Sequence, residues 1–311
     1  MQRNNPSPGR RDFLVALAAL ALTPTPGAVC AAAGPAPILR RAIPGTGEQV
    51  PVIGMGSWLT FDVGNDRALR DDRVAILRSF FELGGAIVDS SPMYGSSEAV
   101  IGYCLARLPA KRPMFSATKI WTWQQSRGVE QMQESKRLWG VEHFDLMQIH
   151  NLLDWQGHLE TLLMHKVQGR IRYVGVTTSH GRRHDTMARV MTEQPLDFVQ
   201  FTYNILDRRA ERHLLPLAAE RGQAVIANRP FRGGALFDHF ARYPLPEWTG
   251  EFDCTNWAQF FLKFIVSHPA VTCAIPATSR LDHMRENMGA LRGRLPDQKM
   301  RERMIYYVEN L

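Results

Sequence analysis

Eight short apolar runs, at residues 53–57, 86–89, 114–118, 146–150, 173–177, 198–202, 224–228 and 272–275, alternate along the chain with longer segments of helical period. Runs of this length suit strands buried on both faces, whereas the stretches between them are long enough for helices. The helical segments are 73–83, 98–108, 126–139, 155–168, 185–192, 209–220, 256–267 and 281–291. In the first, Val74, Leu77, Phe80 and Phe81 form one stripe, and Gly84-Gly85 ends it. Eight strand-helix units without a compositional break predict an α/β fold, a closed (β/α)8 TIM barrel. An open doubly wound sheet would carry GxGxxG after its first strand, and none is present. Two extended pieces around Gly45-Thr46-Gly47 predict an N-terminal β-hairpin leading into the first strand.

The start of the chain reads as an address. Arg10-Arg11 precede Asp12-Phe13-Leu14 and an apolar run ending at Leu22, and the small residues that follow include Ala31-Ala32-Ala33, a fit to a cleavage site. The run is too short for an ordinary membrane span, which takes about 20 apolar residues. The paired arginines resemble a twin-arginine export signal, with Gly9 where Ser or Thr is usual. The reading is a signal peptide at 1–33, a single domain at 34–311, and a periplasmic or otherwise exported bacterial protein carried by the twin-arginine machinery. Cys30 follows Val29, which is bulky for a lipid-attachment site.

Charge excludes some partners. Arg3, Arg10, Arg11 and Asp12 leave with the signal, so the net charge falls from +7 to +5, with the remaining basic residues scattered among acids. No nucleic-acid partner is expected. Cys104, Cys254 and Cys273 have no CxxC spacing and read as small buried side chains. His180 and His184 have Arg182 and Arg183 between them and only Asp185 as an added ligand, so no metal site is expected.

A barrel of this type carries its active site at the C-terminal ends of its strands. There the sequence places Asp89 after the second run, Tyr94 five residues on, Lys119 after the third and His150 at the end of the fourth. Taken singly each has a structural use: Asp89 as a turn cap, Tyr94 in a surface cleft, His150 as a satisfied core imidazole. Four ionisable groups of different type at adjacent strand ends are hard to account for by packing.

Over residues 41–291 this pattern resembles the aldo-keto reductase family: the Asp-Tyr-Lys-His tetrad falls on Asp89, Tyr94, Lys119 and His150, and Tyr94-Gly95-Ser96-Ser97-Glu98 and Gln148-Ile149-His150-Asn151 are similar as well. The resemblance implies an oxidoreductase passing hydride between a nicotinamide cofactor and a carbonyl or alcohol, with Tyr94 as general acid and base. Lys119 would lower the phenol's pKa, Asp89 would hold Lys119, and His150 would orient the carbonyl oxygen. It also implies cofactor contacts at Thr177, Thr178, Gln200, Arg229, Thr278, Arg280, Glu286 and Asn287. Ala277 and His283 replace the Lys and Arg that many members use on a 2′-phosphate, and Arg280 stands near enough to serve, so NADP(H) is favoured over NAD(H). The seventh run ends Asn228-Arg229-Pro230-Phe231, without the Tyr that often stacks on nicotinamide. Trp58, Trp121 and Trp123 follow strand ends and read as walls of a substrate pocket. A second reading is a nicotinamide-binding regulatory or redox-sensing subunit of a membrane partner, with little turnover.

Overall fold

Alternate residues along each strand face opposite sides, so a strand in a barrel sends one set inward and the other toward the helices. A computed structural model describes residues 36–311; the segment read as an export signal, with Cys30, lies outside them. The hairpin is β1 (Arg40–Ala42) and β2 (Gln49–Pro51), paired antiparallel. The barrel strands are β3 (Met55–Gly56), β4 (Ile87–Asp89), β5 (Phe115–Ile120), β6 (Phe144–Ile149), β7 (Ile171–Thr177), β8 (Phe198–Thr202), β9 (Ala224–Asn228) and β10 (Cys273–Ala274). These eight are parallel in sequence order, and the ring closes where Ile53 bridges Ala274 and Gly56 N–H reaches Pro276 O at 3.0 Å.

The helices are α1 (Arg67–Glu82), α2 (Ser97–Leu105), α3 (Gln125–Trp139), α4 (Trp155–Val167), α5 (His184–Glu193), α6 (Leu214–Arg221), α7 (Ala235–Phe240), α8 (Trp257–Val266), α9 (Leu281–Gly289) and α10 (Gln298–Glu309). Outward strand residues such as Val88, Met147 and Val199 pack with Leu77, Leu162 and Phe261 of the helices in the larger apolar cluster.

The inward face is graded along the barrel axis. Ile87, Phe115, Leu146, Phe198 and Ile226 fill the lower interior, and Ile43 and Val50 of the hairpin join this cluster and plug its base. Two residues further along the same strands stand Asp89, Lys119 beyond Ala117, Gln148, Gln200 and Asn228. The period that fills the barrel with hydrocarbon thus ends in a polar layer at its mouth. Gly175 of β7 is in register with Gln148 of this layer, and a Cβ there would lie 2.8 Å from Phe198 O.

Four elements differ from the sequence reading, one being α7, which no expected segment covers. α1 starts at Arg67, six residues ahead of the expected segment, because Asp66 caps it by accepting Leu69 N–H at 3.0 Å. The expected helix at 209–220 is a 3-10 turn followed by α6. Pro216 lacks an amide proton and is tolerated only in a first turn, which the restart at Leu214 provides. α10 lies beyond the last expected helical segment, 281–291. Its Arg301 is buried and donates to Tyr203 Oη at 2.6 Å and Glu211 Oε1 at 2.9 Å, fastening the helix to the end of β8.

Candidate active site

Burying an ammonium or a carboxylate alone is very unfavourable, so a strand end bearing one must supply its partner. Asp89 and Lys119 end neighbouring strands and are each 1% exposed, and Lys119 Nζ donates to Asp89 Oδ2 at 2.5 Å. Asp89 Oδ1 accepts from Gln148 Nε2 and Gln200 Nε2, each at 3.0 Å. Lys119 also donates to Ser90 O at 2.8 Å, and its third proton is left for the Tyr94 hydroxyl. Burial opposes the charge on Lys119, but Asp89 and Tyr94 more than offset this, and its pKa is raised.

Tyr94 enters the mouth on the turn 90–96. Gly95, at φ 58°, makes that turn, and Ser96 donates from both its backbone N–H and its hydroxyl to Asp62 Oδ1 at 2.8 Å. A side chain at Gly95 would meet the same carboxylate at 2.5 Å. The Tyr94 ring meets the His150 ring edge to face, with centroids 5.5 Å apart, and lies 5.3 Å from Lys119 Nζ. The sequence reading expected Lys119 to lower the Tyr94 pKa. Lys119 does pull it down, but burial outweighs that attraction and the net pKa is raised from the ordinary phenol value.

His150 is 5% exposed, and its pKa is pushed down to about 3 by burial and by the nearby Lys119 charge. It is a neutral ring at any ordinary pH. Its Nδ1 lies 2.8 Å from Ser91 Oγ, and no partner among the described residues engages Nε2. The chain then turns sharply, with Asn151, Leu152 and Asp154 at φ 53°, 54° and 47°. Such backbone costs of order 1 kcal/mol or more per residue and needs anchors. Thr177 Oγ1 accepts Asn151 N–H at 3.0 Å, and Arg183 donates to Asn151 O at 2.6 Å.

The residues expected to touch a cofactor follow around the rim. Thr177 is thus a loop anchor. Thr178 is buried beside Gln200, and its hydroxyl has no hydrogen-bond partner. Gln200 is turned inward to Asp89 and Gln148, while its Oε1 accepts from Asn228 Nδ2 at 3.4 Å. Asn228 also donates to Thr178 O at 2.8 Å and accepts from Thr202, so it belongs to the polar layer. An orphaned hydroxyl beside a carboxamide oxygen with a free lone pair fits a primary amide such as nicotinamide's.

Arg229, at φ 51°, lays its guanidinium 5.7 Å from the Trp58 ring across the mouth. Thr278 is buried and its hydroxyl accepts Arg280 N–H at 3.1 Å, just before α9. Glu286 is exposed on α9 and Asn287 is buried. Arg280 is engaged by a residue the sequence reading left out: Asp282, reached from Nε at 3.0 Å. Trp58 and Trp121 are about half-buried and Trp123 is largely exposed, with the Trp121 backbone held from both sides by the Gln131 amide at 2.8 and 3.0 Å. His180 lies outside α5 at φ 59°, so it does not share a helical face with His184.

Other functional neighbours escaped the sequence reading. Ser91, Gln148 and Asn228 were unassigned, although the two-residue period places the latter two on the inward face with Asp89 and Lys119. Glu98, buried, accepts from Thr118 at 2.6 Å, Ser135 at 2.8 Å and Trp139 at 3.1 Å, bracing α2 against β5 and α3 just behind the Tyr94 turn.

Comparison with known proteins bears on the family and the fold. The model of the Aldo/keto reductase family matches residues 52–304. A methylglyoxal reductase, YeaE, of Escherichia coli K12 is 27% identical over 254 residues, 78% of this chain and 86% of that protein. An NADH-specific methylglyoxal reductase of the same organism is 24% identical over 62% of this chain and 68% of its own length. The aldo-keto reductase AKR11C1 of Bacillus halodurans, in its holo form, superposes with a TM-score of 0.71 at 22% identity, covering 88% of this chain and 96% of that one. An aldo/keto reductase of Klebsiella pneumoniae in complex with NADP and acetate does so at 0.70 and 22%, covering 84% and 92%.

The buried pair makes a prediction of its own. Asp89→Asn and Lys119→Met should each lower the unfolding free energy by about 3–5 kcal/mol, because each strands a buried charge. The double variant should lose clearly less than the sum, by more than about 1 kcal/mol, in denaturant titrations. Additive losses would show that the two charges do not depend on each other.

Proposed function

The chain belongs to the aldo/keto reductase family, and on that premise we propose that it reduces a small carbonyl compound with NAD(P)H, Tyr94 delivering the proton and His150 holding the carbonyl oxygen. The observation that carries this reading is the convergence of the Asp89–Lys119 pair, the Tyr94 phenol and the neutral His150 ring at one point of the barrel mouth. A bound reduced nicotinamide supplies the hydride, and Thr178, Gln200 and Asn287 are the residues that would hold the nucleotide, with the backbone amides at the start of α9 favouring its phosphates.

As hydride reaches the carbonyl carbon, negative charge builds on the oxygen. Tyr94 transfers its Oη proton there, and the phenolate left behind is stabilised by the third Lys119 proton. Asp89 keeps Lys119 charged and aimed. A raised Tyr94 pKa keeps the phenol protonated before the substrate binds, which is the form that reduction requires. His150 donates a neutral hydrogen bond and gives up no proton. The alternative reading, a regulatory subunit with little turnover, is not favoured: the curated relatives that match carry reductase names. Their names make a small 2-oxoaldehyde the natural first substrate to assay.

Preference for NADP(H) rests on Arg280. In the free protein its guanidinium is paired with Asp282, an exposed and solvent-screened pair that a 2′-phosphate can displace. Residues 1–33 we read as a twin-arginine signal, so that the protein leaves the cytoplasm folded, with its nucleotide bound.

Tyr94→Phe should retain nucleotide affinity and lose reduction by about 10²- to 10⁴-fold; near-normal turnover of methylglyoxal or another small carbonyl would remove Tyr94 from the mechanism. In nucleotide titrations, Arg280→Ala should weaken NADPH more than NADH, and Asp282→Asn should strengthen NADPH alone. Equal shifts for both nucleotides would mean that Arg280 reads another group. Replacing Arg10-Arg11 with Lys-Lys should retain active protein in the cytoplasm, and unchanged export on cell fractionation would refute the signal assignment.

A further inference from the structure

A histidine that donates to a substrate must carry its proton on the nitrogen facing that substrate, and the other nitrogen's partner decides this. His150 Nδ1 faces Ser91, a fully buried residue on the turn between Asp89 and Tyr94. We propose that Ser91 is a positioning residue that fixes the tautomer of His150: its hydroxyl donates to Nδ1, so the ring proton resides on Nε2, the nitrogen left for a carbonyl oxygen. The functional consequence rests on the carbonyl-reductase reading given above; the tautomer itself does not.

The assignment follows from counting protons and lone pairs. A serine hydroxyl has one proton to give and two lone pairs to receive with. One lone pair of Ser91 Oγ takes the backbone N–H of Met93 at 3.2 Å. The remaining contact of this oxygen is His150 Nδ1 at 2.8 Å. With a proton on Nδ1, the imidazole would fill the second lone pair, and the Ser91 proton would be buried without an acceptor, an unfavourable state. With the proton on Nε2, the Ser91 hydroxyl and Nδ1 are both paired: Met93 N–H donates to Ser91, Ser91 donates to Nδ1, and Nε2–H is left for a carbonyl oxygen.

Double protonation is disfavoured independently, since burial and Lys119 both oppose a charged ring. The ring is also fixed in place. Tyr94 meets it edge to face at 87°, and the backbone just after it is held by Thr177. An inverted tautomer would turn the Nε2 lone pair toward the lone pairs of the carbonyl oxygen, so turnover and substrate binding would both suffer.

The test is nitrogen NMR of protein labelled in its histidine imidazoles, with the His150 signals assigned by their loss in His150→Asn. The wild-type protein should show His150 as a single Nε2–H tautomer through neutral pH, and a proton on Nδ1 would overturn the proposal whatever the variants do. Ser91→Ala should lose that single signature and drop kcat by about 10- to 100-fold, the range seen when the partner orienting a functional histidine is removed. Its nucleotide affinity should stay unchanged, and Ser91→Thr, which keeps the hydroxyl, should recover the tautomer. Ser91→Ala with an unaltered imidazole spectrum and full turnover would also overturn the proposal. If the spectra are as expected but the wild-type protein reduces no carbonyl, the tautomer assignment stands and the functional reading fails.

Discussion

The mouth of this barrel is organised by one buried ion pair. Lys119 and Asp89 lie too deep for water to stabilise either charge, so each requires the other, and both require the amides of Gln148 and Gln200 and the Ser90 carbonyl. Those groups sit on β4, β5, β6 and β8, so the pair can form only when half the strands of the barrel are in register. The demands of the ionic pair and of the β/α fold coincide. Tyr94 and His150 are then packed over the one ammonium proton not already committed.

Charge placement also divides the labour between the two groups nearest a substrate. The same burial raises Tyr94 and lowers His150, so both rest uncharged, the state that the proposed reading requires of each. Lys119 reinforces the second effect and opposes the first. It has its full effect on Tyr94 only once the phenol has lost its proton, when the attraction becomes that of two unit charges in a poorly solvated site.

Much of this was legible in the sequence, for physical reasons. Four- and five-residue apolar runs mark strands buried on both faces; Asp89, Lys119 and His150 stood out because ionisable groups break those runs at their ends, and Tyr94 because it follows Asp89 at the five-residue step of the family's tetrad. What stayed hidden depends on distant partners. Gln148 and Gln200 meet Asp89 across 59 and 111 residues, and nothing in a single sequence gives that distance. The sign of the Tyr94 shift depends on how deeply the ring is buried, which spacing does not report. α10 was missed because it buries only Arg301, Met304 and Val308. Pro216, by contrast, was in plain sight: it already argued against a continuous helix at 209–220. Asp282, two residues from Arg280, was equally visible as a competitor for that guanidinium.

The central claim is that catalysis proceeds from a neutral His150 and a protonated Tyr94, with the proton coming from the phenol alone. The pH dependence of reductive turnover at saturating nucleotide tests this most directly. The account predicts a flat profile through the ordinary imidazole value of 6.5, with activity falling only on the alkaline side, above the ordinary phenol value of 10, as Tyr94 loses its proton. A step in turnover near 6.5 that disappears in His150→Asn would show a titrating imidazole, and would contradict the account.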